Sequence, residues 1–549
     1  MYPQNSFVFS KSDVNEALQS QLYGYALTDT AVIFGTKGLQ SYLLKSGSIN
    51  IREGRFAGVF VDTDNVIIRA DNTGQELIYY YTNGDDWSVS NSFYYLVAEV
   101  KKRHSLNLYE PSVEAFHLKR GTHIGEQLIS HNTCVEEIKV LPVNAHLRIC
   151  RKSKQLHIHT ISYEEHFELN DPSAKYEEIL SNAISKGVGI LSAIKKHFAN
   201  LNLFLSGGYD SRLVLGLLTA DGKPNDSLNV MSHIHKKEDF VVAERLTKRL
   251  GLKLNQPTKI DREFGISSSE SLRMYLASCG STYLPMYPVS AYRQFKRFNV
   301  RLTGDQPTGW SHFAGNAKFN GTAHKIRADI IDEMKTRVHG AAVADDFMST
   351  FDVLDVDPKS PFAMLAHYSA IRARFHCGRN WYKSQGSDFL FTPLMQTEFI
   401  QLDFLNANNG FEPKKVFADF FSAFGNWALE EPFETPDRAF STELIKLAQK
   451  MRISPDFSKE YVVYGMPYIE DFESDFLGVN LNISNDHEEI KDILETLYYR
   501  ANRAKGLKLF QEDDLRLCKS EINKRGSLSH NYRKTTHLIS TEILMSLIQ

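Results

Sequence analysis

Leu201-Asn202-Leu203-Phe204-Leu205-Ser206-Gly207-Gly208-Tyr209-Asp210-Ser211-Arg212, continuing through Leu213-Val214-Leu215-Gly216-Leu217-Leu218, is the stretch that decides the fold. An apolar run of strand length breaks on two glycines and resumes as a helical run. The pattern predicts a strand over 201–205 and a helix over 212–218. Two adjacent glycines let the backbone turn tightly and bring its N–H groups up to an anion with no Cβ in the way. The helix that follows presents its positive end to the same point. Ser206 and Ser211 add hydroxyl donors, and Asp210 supplies a hard oxygen ligand suited to Mg²⁺. Such a cradle suits the pyrophosphate leaving group of ATP. The Walker ending Gly-Lys-Ser/Thr, which serves transfer of a γ-phosphoryl group, is absent. The plainer alternative is a Gly-Gly turn of an ordinary βα connection.

Downstream, Leu228 to Ser232 reads as a second strand, and Asp239 to Leu250 as a helix ended by Gly251. Asn299 to Thr303 is a further strand followed by a glycine turn. Alternation of strand and helix predicts a parallel sheet covered by helices. Upstream, Asp171-Pro172-Ser173 offers a helix start, with Ile179, Leu180, Ile184, Val188, Leu191 and Ile194 at helical spacing. The first 170 or so residues read as strand-rich: 56–62, 66–69 and 76–81 are β-branched and aromatic runs between turn-formers. His146–Cys150 and Gln155–His159 read as a hairpin, with His157 and His159 on a solvated strand face rather than in a metal site. From about residue 360 the pattern is mostly helical, and the tail from Glu488 is charged. The predicted divisions are 1–172, 173–440 and a helical extension over 441–549.

A chain of 549 residues is too long for one ordinary core, and its 42% hydrophobic and 23% charged residues are those of a soluble globular protein. A net charge of −3 gives no general pull toward nucleic acid or an anionic membrane. The start lacks a signal-peptide pattern, and no apolar run reaches the length of a membrane span. Five scattered cysteines without C-x-x-C spacing argue against both a disulfide framework and a zinc site. A cytoplasmic location is expected.

Ser206-Gly207-Gly208-Tyr209-Asp210-Ser211 is similar to the signature of pyrophosphatase-loop ATP enzymes, which several families share. Upstream, Gly54-x-Phe56, Asp71-x-x-Gly74 before Tyr79-Tyr80, and Asn132-Thr133 leading to Ile138-x-x-Leu141-Pro142 look like an amidotransferase-like domain. Together, over most of residues 50–430, the chain resembles the asparagine-synthetase family. That resemblance implies an α/β protein: a β-rich, Ntn-hydrolase-like first domain, a parallel-sheet pyrophosphatase-loop domain and a helical C-terminal extension. It implies ATP contacts at Ser206, Gly207, Gly208, Asp210, Ser211, Val230, Met231, Ser232 and Gly304. Mg²⁺ would be held by Asp210 and Asp305.

Thr303-Gly304-Asp305 matches in kind the first three positions of the family's ribose- and metal-binding turn, while Thr308 and Gly309 stand where its later acidic pair is expected. Asp305 reads otherwise as a turn cap. Phe391-Thr392-Pro393-Leu394, with Phe399-Ile400, is similar to the family's substrate-side segment. Arg372, Arg374 and Arg379 before it form either an anion site or a basic helix face. Lys414 or Lys415 falls where the family places a catalytic lysine that stabilises pyrophosphate; a solvated lysine pair is the alternative.

The family's glutaminase cysteine follows the initiator methionine, and Tyr2 stands there in this sequence. Glutamine hydrolysis by that route is not expected. The resemblance then implies an ATP-dependent, AMP-forming carboxylate–amine ligase or cyclase, as in the β-lactam and lasso-peptide relatives, with small-molecule or peptide substrates. Rival readings are an ammonia-dependent asparagine synthetase and a catalytically silent ATP-binding assembly protein. The oligomeric state stays open, a homodimer among the arrangements.

Overall fold

Ten short strands precede residue 161 in the computed structural model, which describes residues 6–47, 50–119, 124–169, 175–222, 228–255, 268–284, 299–309, 323–379, 389–410, 412, 414–467, 490–523 and 532–549. Tyr2 lies outside the described residues. In chain order the strands are β1 (Val8–Ser10), β2 (Gln21–Leu27), β3 (Ala31–Phe34), β4 (Glu53–Val61), β5 (Asn65–Ala70), β6 (Tyr79–Asn83), β7 (Asp86–Ser90), β8 (Ile138–Val140), β9 (Ala145–Cys150) and β10 (Leu156–Thr160). β1-β7-β6-β8 form one antiparallel sheet, and β10-β9-β5-β4-β2-β3 run in that order through a second. Period-two alternation decides their faces. β4 sends Ala57 and Val59 to an apolar layer shared with Val89 of β7, so the two sheets pack face to face. Its other face, with Phe56 and Phe60, meets Leu39 and Tyr42 of the helix Gly35–Ser46. The expected hairpin is β9–β10, where His146 pairs with His159 in register and both His157 and His159 are exposed.

The second sheet system follows the βα reading. β11 (Asn200–Phe204), β12 (Leu228–Met231), β13 (Lys253–Leu254), β14 (Asn299–Leu302) and β15 (Phe389–Phe391) are all parallel, in the order β13-β12-β11-β14-β15. The order runs outward from β11 in one direction, then restarts on its other side at β14. A crevice therefore opens between the carboxyl ends of β11 and β14, the position at which open α/β sheets take ligands. Apolar stripes on the helices Tyr176–His197 and Tyr209–Thr219 cover the sheet, Ile184 and Leu191 packing with Leu203, Leu213 and Leu217. The helix start expected at Asp171-Pro172-Ser173 lies outside the described residues. The helix Lys237–Leu250 stops at Gly251, whose φ of 66° is left-handed, as the sequence predicts.

Residues beyond 440 are woven into the rest rather than set apart from it. β16 (Val462–Tyr464) joins the first domain's larger sheet, parallel to β3. The helix Arg533–Ile548 lies on the helix Phe93–Lys101, where Tyr94 Oη donates to the Ser540 carbonyl at 3.0 Å. Tyr25, Leu27, Val32 and Phe34 of β2 and β3 belong to the apolar cluster of the parallel sheet, so one core crosses the expected domain boundary. Among the described residues no helix is long and apolar enough to cross a membrane.

The three arginines before β15 do not form a basic surface; all three are buried. Arg374 donates from Nε to the Gly74 carbonyl and from Nη2 to the Leu141 carbonyl, both at 2.9 Å. Arg379 pairs with Glu76 at 2.7 Å, and Glu76 also holds Arg55 at 3.2 Å. Arg372 donates to Gln127 at 2.5 Å. The turn that Arg374 and Arg379 grip is built by Asp71, which accepts from Thr73 Oγ1 at 2.8 Å and from the Gln75 N–H at 3.1 Å. Gly74 closes it at φ +65°, and a Cβ there would strike the Arg374 guanidinium.

Candidate active site at the strand-order reversal

β11 ends at Phe204, and the chain turns through Ser206-Gly207-Gly208 into a helix that starts at Tyr209 with Gly208 as its N-cap. The first N–H groups of that helix have no intrahelical partners, so the turn is a concentration of donors. Ser211 locks it: its hydroxyl accepts from the Ser206 N–H and lies against Ser206 Oγ, both at 3.0 Å. Tyr209 anchors the helix start by stacking on Phe417 at 4.7 Å and donating its hydroxyl to the Arg438 carbonyl.

From the neighbouring strand, Thr303-Gly304-Asp305 comes down beside the loop. A Cβ on Gly304 would lie 2.6 Å from the Asp210 carbonyl carbon and 2.8 Å from the Ser211 nitrogen. Only glycine allows the two turns this approach. Asp305 accepts from Thr303 Oγ1 at 3.1 Å, and Asp210 accepts from Gln306 Nε2 at 2.6 Å. Burial pushes the Asp210 carboxyl up to about 7; Arg438 opposes the rise, while Asp305 and Glu434 add to it. Two or more carboxylates near one another in a dry crevice form a site in deficit of positive charge.

The end of β12 forms the next wall. The Val230 side chain is sealed in the core, and the Met231 carbonyl accepts from the Leu205 N–H. Ser232 is fixed through its backbone to Asn255 at 2.8 and 3.0 Å, and its Oγ is buried without a hydrogen-bond partner among the described residues.

Several groups at the loop escape the sequence reading. Asp239, in the first turn of the next helix, takes the Gly207 N–H at 2.7 Å. A strap over residues 431–440 lies across the loop. Arg212 holds it by donating to the Glu431 and Pro432 carbonyls at 2.7 Å each. Within the strap, Glu434 packs so close to Gly207 that a Cβ there would lie 2.5 Å from the Glu434 Cβ, and Glu434 Oε2 is buried without a partner among the described residues. Arg438 pairs with Glu434 at 3.0 Å and its Nη1 would lie 2.8 Å from a Cβ on Gly208. Among the described residues, Arg438 is the cation that reaches the loop.

Lys414 donates to the Asp437 and Ala439 carbonyls and so fixes the strap on either side of Arg438. Lys415 turns to Asp419, four residues on, and lies 4.4 Å from the centre of the Tyr176 ring. On the opposite side a π-helical turn over Tyr368–Arg372 carries the buried Tyr368, whose hydroxyl is pushed well up by burial and by nearby charges that include Asp210 and Asp305. Such turns recur at functional sites. Phe391 ends β15 and Thr392 meets Tyr25 Oη at 2.7 Å, so the Phe391–Leu394 segment joins the two sheet systems. Cys134 is buried, its Sγ 3.4 Å from the Ser281 carbonyl, and burial pushes its thiol far above the range of a reactive thiolate.

A scan against protein-family models finds no match to this chain, and a search of the curated proteins finds none either.

Proposed function

We propose that the chain is an ATP-dependent, AMP-forming carboxylate–amine ligase or cyclase of the asparagine-synthetase type, with an Ntn-hydrolase-like first domain and a pyrophosphatase-loop second domain. The observation that carries this reading is the meeting of a two-glycine loop, a helix start and the carboxylates of Asp210 and Asp305 at the strand-order reversal. In it, the helix start and the Ser232 hydroxyl, unpaired among the described residues, receive phosphate oxygens, and Arg438 faces the charge that gathers on departing pyrophosphate.

Asp210 and Asp305 suit Mg²⁺, which takes one or two protein carboxylates and completes its shell with water and phosphate oxygens. When bound, Mg²⁺ would supply charge neutralisation at the phosphate oxygens. A substrate carboxylate oxygen attacks the α-phosphorus and the bond to the pyrophosphate oxygen breaks. An amine then attacks the acyl carbon, AMP leaves, and the amine gives up a proton.

One observation favours a second reading, a silent ATP-binding protein: the Gly207 N–H is already held by Asp239, and Glu434 lies on the loop. Labelled ATP offered with a pool of cell metabolites separates the two. The ligase should produce AMP and pyrophosphate only when substrate is present. ADP accumulating with substrate overturns the adenylating assignment, and ATP binding with no substrate-dependent pyrophosphate exchange selects the silent reading.

A further inference from the structure

Strand register puts Phe60 of β4 beside Ile67 of β5, Gly58 beside Arg69, and Ile67 beside Arg148 of β9, so one face of the first domain's larger sheet carries all of them. The helix Gly35–Ser46 lies on that face through Leu39 and Tyr42. A cavity of about 400 Å³ opens on it as well, within the usual range for a small organic ligand. Phe60 and Ile67 give the cavity apolar walls, and Arg52 and Arg69 bring two guanidiniums to its lining.

Arg69 is short of partners among the described residues. It stands opposite Gly58, where a Cβ would lie 2.3 Å from the Phe60 ring, so that ring folds back over the glycine with its centre 5.1 Å from the Arg69 guanidinium carbon. Nη2 donates to the Ile51 carbonyl, while Nε is buried without a hydrogen-bond partner, and no carboxylate pairs with the guanidinium among the described residues. Burial and the like charge of Arg52 pull it down to about 10, which leaves it cationic at neutral pH. Arg55 and Arg379, also withdrawn from water, share the carboxylate of Glu76. A guanidinium withdrawn from water without such a counter-charge is costly, and an anion in the cavity offsets that cost.

The rest of the lining sets the charge such an anion can carry. Arg52 is half exposed, and its pairing with Glu168 is long, 3.4 Å, so it can turn to a ligand. Asp62 lines the cavity too, its Oδ1 taken by the Asp64 and Asn65 N–H groups at 2.8 and 2.7 Å. His146 is pulled below its ordinary value by burial and by His159, Arg69 and Arg148, so it is neutral. Two positive groups against one negative leave a net of +1, which one carboxylate cancels and a multiply charged phosphate exceeds.

From the two guanidiniums, the uncompensated charge of Arg69 and the apolar walls, we infer that this cavity binds a small organic monocarboxylate with an apolar body. The carboxylate meets the Arg69 and Arg52 guanidiniums, whose planar forks suit its two oxygens, and the body lies against Phe60 and Ile67. The site is separate from the glycine loop, and the inference does not depend on the ligase reading.

Titration calorimetry of the full chain with benzoate tests it, with benzylamine as the cationic counterpart and inorganic phosphate as an anion without an apolar body. Benzoate should bind saturably at one site, more weakly as salt is raised. Benzylamine should not bind, and phosphate at equal concentration should not displace benzoate. Arg69→Met keeps an apolar stem of similar length and should weaken benzoate about ten- to a hundredfold. Arg52→Gln alters an exposed side chain and should weaken it about two- to fivefold. No saturable benzoate binding, equal binding of benzylamine, displacement by phosphate, or wild-type affinity in a folded Arg69→Met overturns the inference. If that variant does not fold, wild-type affinity in Arg52→Gln overturns it.

Discussion

Replacing Asp210 with asparagine should make the nucleotide-free protein more stable while removing its capacity for Mg·ATP. The Asp210 carboxyl is raised from 3.8 to about 7, chiefly by burial. With each tenfold change in the ionisation equilibrium equivalent to about 1.36 kcal/mol, ionising this group in the folded state costs about 4 kcal/mol relative to the unfolded chain. Relaxation around the charge reduces the expected value to about 2–4 kcal/mol. The sign follows from proton binding. Between 3.8 and about 7 the folded state keeps a proton that the unfolded state has lost, so stability falls as pH rises across that window. Above it the full penalty is present, and below it none is. Asparagine cannot ionise, yet its amide oxygen can still accept from Gln306 Nε2, now 2.6 Å from Asp210 Oδ1. Thermal melts of both proteins at one scan rate from pH 5 to 8, with and without Mg·ATP, give the readout. The variant should melt above wild type at pH 8, by a margin that narrows as pH falls toward 5, and gain nothing from Mg·ATP. A variant that melts below wild type at pH 8 with the same pH slope would falsify the claim that Asp210 is a strained, ligand-seeking carboxylate.

Gly304→Ala forces a Cβ against the Asp210 backbone at 2.6 Å, so it should cost about 1–3 kcal/mol of stability and separate Asp305 from Asp210; Mg·ATP affinity measured by calorimetry should drop, and wild-type affinity in a folded variant refutes the paired-turn geometry. Arg438→Gln removes the cation beside Gly208 while keeping much of its side-chain volume. A charge-assisted contact of about 1.5–3 kcal/mol is lost, so turnover should fall more than ATP affinity, and equal falls would assign Arg438 to binding alone. Arg379→Met leaves Glu76 with Arg55 as its remaining salt-bridge partner and should destabilise the chain by about 3–5 kcal/mol in thermal melts. Glu76→Gln should cost less on the Arg379→Met background than in wild type, and strictly additive effects would show that the pair is not coupled.

The glycine loop was legible because everything that makes it is local. A strand, two glycines and a helix start lie within eighteen residues of chain, and their periodicity changes on the loop itself. Asp239, Glu434 and Arg438 carry no such mark. Asp239 reaches Gly207 across a sequence separation of 32, and the strap arrives from far later in the chain. Nothing in Glu434-Thr435-Pro436-Asp437-Arg438 distinguishes it from a surface turn until Arg212 and Lys414 are seen holding its carbonyls. Lys414 and Lys415 illustrate the same limit. Adjacent residues at a helix start diverge in direction, so one grips the strap and the other pairs with Asp419. Short strands were lost for a different reason. β2 contains Gly24, and β16 has three residues; neither offers enough alternation to be read against its surroundings.

Burial is the property that the sequence conceals most, and the arginines before β15 show its consequences. A guanidinium drawn out of water must find its donors partners or lose several kcal/mol, so Arg374 and Arg379 commit the helix that carries them to one arrangement. Their partners include the carbonyls of Gly74, Gln75 and Leu141 and the carboxylate of Glu76, which all belong to the first domain. The same helix region leads through the π-turn at Tyr368 to Asp210 and Asp305. Tyr25 and Phe34 of the first domain sit in the core of the parallel sheet, and β16 returns from the end of the chain to extend the first domain's sheet. The first domain is therefore part of the frame that fixes the crevice, whatever chemistry it performs itself. Residues such as Asp71 and Gly74, which read in the sequence as marks of an amidotransferase-like domain, act in this fold as the socket that holds the second domain's arginines.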